Sequence, residues 1–67
     1  MKTYSIIGIH RGKRTTLNLY PHRSKALALM LGAAEARKMP IPGVVEVWEN
    51  DTETGRDTLI RAFPGMV

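Results

Sequence analysis

One stretch limits the folds open to this chain: residues 24–39, SKALALMLGAAEARKM. It is the only segment long enough, and free enough of strand-forming residues, to make a helix of about four turns. Ser24 supplies the N-cap, its hydroxyl accepting an otherwise unpaired backbone N–H. Pro40 and Pro42 stop the helix, and Gly43 opens its exit. At 100° per residue, Leu27, Met30, Leu31 and Ala34 fall in one stripe, which is predicted to be the core face. The opposite side carries Leu29, Gly32, Ala33 and Ala36, with Lys25 near its start. That side is small and apolar where a solvent face would be charged, so it is a candidate protein interface. Gly32 costs about 1 kcal/mol of helix propensity relative to Ala, and close approach of a second helix would offset that.

Strand-like runs flank the helix on both sides. Residues 2–10 carry Tyr4, Ile6, Ile7 and Ile9, the β-branched and aromatic side chains that strands favour. Arg11-Gly12-Lys13 reads as a tight turn, with Gly12 free to take φ > 0. Residues 15–20 read as the second strand, Leu17 and Leu19 alternating with Thr16 and Asn18 until Pro21 ends it. Beyond the helix, 44–50 and 56–63 form another hairpin around the acidic turn Asp51-Thr52-Glu53-Thr54-Gly55. The expected fold class is therefore α+β: ββαββ, a four-stranded antiparallel sheet with one helix packed on one face. It forms a single domain over 1–67, with a hairpin at 1–20, the helix at 24–39, a hairpin at 43–63 and a frayed tail at 64–67.

A chain of 67 residues buries only about 60% of its unfolded surface, so such a core calls for reinforcement. There is no cysteine to supply a disulfide or thiolate site, and His10 and His22 are too few for a usual zinc site. No metal or cofactor is expected, which leaves tight sheet-on-helix packing or self-association. The N-terminal apolar run is short and lacks a small-residue cleavage site, so no signal peptide is read. No stretch approaches the ~20 apolar residues of a membrane span. The expectation is a soluble, cytoplasmic protein with no membrane partner.

The net charge of +4 is unevenly spread. Residues 1–34 hold six Lys or Arg and no acid, whereas 35–67 hold four basic and six acidic residues. The alternating direction of the elements sets the first turn and the helix C-terminus at one end. That end gathers Arg11, Lys13, Arg14, Arg37 and Lys38, with His10 close by. The other end gathers Asp51 and Glu53, near Glu49 and Asp57, partly offset by Arg23, Lys25 and Arg56. A basic end of this kind binds phosphates with steep salt dependence, binds an acidic protein, or is simply solvated.

Trp48 has two possible placements. With Val45 and Val47 on the helix, Trp48 faces away beside Val44 and Glu46, and an exposed Trp is a strong interface anchor. The opposite register puts Trp48 in the core, and the period-two pattern leaves both open. His10 and His22 read as turn and loop residues rather than catalytic bases. Glu46 and Glu49 fall on opposite faces of one strand, so they are no acid–base pair, and no glycine-rich phosphate loop precedes a helix. An enzyme is not expected. The expected function is a small non-enzymatic binding protein acting through protein–protein contacts, with Leu29, Gly32, Ala33, Ala36 and Trp48 as its interface. The partner is another protein or a second copy in a homodimer. The alternative is a nucleic-acid-binding protein that uses the basic end. In size and arrangement the layout resembles some phage-encoded inhibitors of bacterial defence, such as anti-CRISPR proteins. The resemblance covers architecture alone; it implies an inhibitor of a host or defence protein and assigns no residue.

Overall fold

A computed structural model describes residues 1–67. The elements are β1 (Lys2–His10), β2 (Lys13–Thr16), α1 (Lys25–Ala36), β3 (Gly43–Asp51) and β4 (Asp57–Pro64). The strands form one antiparallel sheet in the order β2-β1-β3-β4, with the helix packed on one face. The chain is thus the α+β, ββαββ protein that its sequence pattern predicts. β1 and β3, the two most apolar strands, are the central pair, as strands with apolar residues on both faces should be.

Register decides which residues meet the helix. Ile6 lies opposite Val47 and Gly8 opposite Val45, and these residues with Tyr4 form the covered face. Two small clusters make up the core: Tyr4, Ala28 and Val47 toward the start of the helix, and Ile6, Ala36 and Val45 toward its end. The helix therefore runs alongside β1 in the same direction. Its C-terminus and the first turn share one end, as connectivity requires.

The helix is rotated relative to the stripe expected from its sequence. Ala28, Gly32 and Ala36 are its buried residues, while Leu27 and Met30 are exposed. The cause is steric. A Cβ at position 32 would lie 2.6 Å from Val47 Cγ2 and 3.2 Å from the Phe63 ring. The helix approaches the sheet too closely for a bulky stripe, so the small face goes inward. Gly32 is explained by the helix's own sheet rather than by a second helix.

Two further expectations are corrected. The second strand ends at Thr16, because the ladder beyond it is replaced by a side chain. Asn18 Oδ1 accepts from the Ile6 N–H at 3.0 Å, and its Nδ2 donates to the Tyr20 carbonyl at 2.7 Å. The backbone of His22 then pairs with Tyr4 in a single bridge. Residues 17–22 thus run beside β1 as a looped border and not as a strand. The C-terminal residues are also tied down. Met66 and Val67 donate to the Met39 carbonyl, and Ile41 donates to Val67. Met66 also donates to the Ala36 carbonyl at 3.2 Å, one of those that the helix end leaves open.

Candidate functional site

The sheet face away from the helix has no covering layer. Alternation places Ile7 and Ile9 of β1, Val44, Glu46 and Trp48 of β3, and Leu59 of β4 on it. A register shift between Val47 and Trp48 inserts an extra residue in β4. Such a bulge re-aims the side chains around it. Ile60 packs into the core while Leu59 stays on the open face opposite Trp48. The register that leaves Trp48 outside the core is the one the fold adopts.

Polar groups hold the indole in place. Glu46 Oε1 accepts from Trp48 Nε1 at 3.0 Å and from Arg14 Nη1 at 3.3 Å. Arg14 reaches across β1 to make that ion pair, so its stem lies over the Ile7–Ile9 row. An ion pair this exposed on the Arg side contributes about 0–1 kcal/mol, so its effect here is to fix orientation rather than to stabilise. On the other flank Ser5 Oγ donates to Asn50 Oδ1 at 2.7 Å, and Asn50 Nδ2 donates to Asp57 Oδ1 at 2.9 Å. Between the two networks lies a shallow cleft of about 210 Å³ lined by Ser5, Ile7, Arg14, Trp48, Asn50 and Asp57. The result is an aromatic anchor in an apolar row with a satisfied polar rim. Protein interfaces combine features of this kind.

The basic end is partly neutralised. Lys13 and Arg14 alternate across β2, so Lys13 faces the helix side and Arg14 the open face. Arg14 pairs with Glu46, and Lys38 lies 3.6 Å from Glu35. Arg11, Lys13 and Arg37 make no ion pair. Lys13 borders a cleft of about 240 Å³ with Gly8, His10, Thr15, Leu17 and Met39. No Phe, Tyr or Trp lines that cleft, and His10 is its one ring.

Of the interface residues expected on the helix, Gly32 and Ala36 are in the core, and Leu29 and Ala33 are half-buried. Trp48 alone lies on the open sheet face. On the helix, Leu27, Met30 and Ala34 of the stripe expected in the core are exposed, and so are Leu17, Leu19 and Tyr20 of the expected second strand. The spacing Ala28, Gly32, Ala36 is the signal that would have found the helix residues. Small residues at every fourth position mark the face that can come closest to a neighbour.

No family model, curated protein or solved structure matches the chain. The chemistry of the surfaces therefore stands alone. His10 and His22 lie at opposite ends of β1's borders, His10 opposite Lys13 and His22 opposite Tyr4. Nowhere do three or more His, Asp or Glu residues converge. Glu46 and Glu49 occupy opposite faces, Glu46 with Trp48 and Glu49 accepting from the Tyr4 hydroxyl at 3.1 Å. Burial pushes the Tyr4 phenol above its ordinary pKa, and that hydrogen bond adds to the shift. Asp51 is held below the ordinary carboxylate value, mainly because it accepts from the Glu53 N–H at 2.9 Å. Both groups support the fold at the end away from the first turn. No helix is long and apolar enough to cross a membrane.

Proposed function

We propose that this chain is a non-enzymatic binding protein whose open sheet face engages another protein through Trp48. The observation that carries the reading is the indole itself, uncovered by any layer and fixed by Glu46 and Arg14. A pre-oriented Trp loses little freedom on binding, and such residues dominate interface energetics. The layout's resemblance to small inhibitors makes a host or defence protein the partner to look for first.

A photo-crosslinking residue at Leu59, beside Trp48, tests this in the source cells. The expected result is one discrete crosslinked protein that disappears when Trp48→Ala is added. A crosslinking pattern unchanged by Trp48→Ala would overturn the reading.

A second reading has its own observation: Arg11, Lys13 and Arg37 gather at one end without acidic partners. Binding of labelled DNA or RNA through them would weaken with salt, with a log–log slope of about −2 to −3 for three phosphate contacts. Reversing Arg11, Lys13 and Arg37 to Glu would abolish it. No binding at low salt would end this alternative.

A further inference from the structure

Helix α1 turns its small residues toward its own sheet, Leu29 and Leu31 flank the core, and Leu27 and Met30 point outward. Ala28, Gly32 and Ala36 are buried, whereas Met30 is 68% exposed and Leu27 is exposed beside it. The border segment 17–22 continues this apolar surface. Leu19 is 94% and Tyr20 79% exposed. The helix contacts β1, β3 and β4 but not β2, so a gap opens between it and the border segment. That gap is a groove of about 420 Å³, floored by Ile6 and Leu31 and walled by Leu17, Leu19, Tyr20 and Glu35.

We infer that two copies of this chain pair through this surface, the Leu19–Tyr20 ridge of each lying in the groove of the other. The two shapes are present on one protomer, as a two-fold isologous interface requires. Together the exposed residues offer on the order of 600 Å² of mostly apolar surface, the upper end for the largest patch on a monomer and close to the ~800 Å² per partner of a stable interface. Glu35, the one carboxylate of the groove wall, is already paired with Lys38 of its own chain at 3.6 Å, so the contact between copies is apolar. Finally, the internal core holds only six buried hydrophobic residues, the largest fully buried ones being valines. A disulfide-free chain of this size gains the missing burial by association.

This interface is separate from the open sheet face and leaves Trp48 free. Sedimentation equilibrium and light scattering across protein concentration test it. The expected mass is twice the 7.5 kDa of the chain, at low and at high salt alike. Leu19→Asp and Met30→Asp, both at exposed positions, raise the dimer dissociation constant on the order of 30-fold or more. Leu59→Asp on the sheet face leaves it unchanged while disrupting the Trp48 surface, so failure of one idea is distinguishable from failure of the other. In a mixture of labelled and unlabelled protein, isotope-filtered NMR shows contacts between Leu19 and Met30 of different copies, with no variant needed. A monomer at all concentrations would overturn the inference. So would a dimer that ignores both substitutions, or one that high salt alone dissolves.

Discussion

Gly32 is the residue on which the helix placement turns. Adding a methyl group there gains about 1 kcal/mol of helix propensity. The same methyl would sit 2.6 Å from Val47 Cγ2, inside any normal contact distance. Val47 is fully buried and β-branched, so it has no free rotamer into which to retreat. Overpacking of this kind costs about 1–3 kcal/mol and outweighs the propensity gain. Gly32→Ala is therefore expected to destabilise the fold by up to about 2 kcal/mol net, read as a lower midpoint of urea unfolding. A midpoint equal to or above that of the parent would mean that the helix can lift off the sheet without loss. This also explains why the outward stripe of the helix was not legible in the sequence. A helix apolar on nearly every side gives no moment to orient it, and distance of approach decides instead which stripe goes inward. Trp48 was only half legible, because its two possible faces differ by a one-residue slip.

At the scale of elements, the two turns show opposite quality. Arg11 and Gly12 both have positive φ, 53° and 80°. Two consecutive left-handed residues joining paired His10 and Lys13 match the type I′ hairpin geometry, which favours Asn-Gly. An arginine there carries about 1 kcal/mol of strain that Asn avoids more readily. Arg11→Asn is expected to raise stability by up to about 1 kcal/mol, read as a higher urea midpoint with an unchanged slope. The second turn is already well made. The Asp51 carboxylate accepts from the Glu53 and Thr54 N–H groups, and Gly55 takes the positive φ. Its pKa lies below the ordinary 3.8. The ionised form is thus favoured by folding, so its contribution is present above about pH 4 and is lost as pH falls through the lowered native value. Asp51→Asn keeps an acceptor oxygen but removes the titration. The acid decline of the unfolding midpoint is expected to be shallower in that variant, and identical pH profiles would rule out Asp51 as a source of it. The elements themselves were legible from their punctuation: the Ser24 cap, the Arg11-Gly12 turn and the prolines after the helix. The end of β2 was not, because Leu17 and Leu19 keep the strand rhythm while the Asn18 amide takes over the hydrogen bonds. The tail was not either, since its anchoring runs through backbone groups that any sequence would carry.

Across the whole molecule, burial is the scarce quantity. The sheet is covered on one face by a helix whose fully buried residues are Ala and Gly, while Leu27 and Met30 remain outside. If that outer stripe pairs with a second copy, unfolding includes dissociation. Mass action then ties stability to protein concentration, the native dimer being favoured as total protein rises. The thermal midpoint is expected to climb steadily with concentration in calorimetry and to flatten in Leu19→Asp, which leaves the internal core untouched. The size of the climb follows from the transition entropy. A tenfold rise in concentration adds about 1.4 kcal/mol per dimer, or about 0.7 kcal/mol per chain, to the folded side; for a domain this small about 1 kcal/mol per chain moves the midpoint by roughly 4–8 °C, so the climb is about 3–6 °C per tenfold. A midpoint independent of concentration in the parent protein would show that the two-layer monomer suffices alone. The outer stripe would then be free for a partner other than itself.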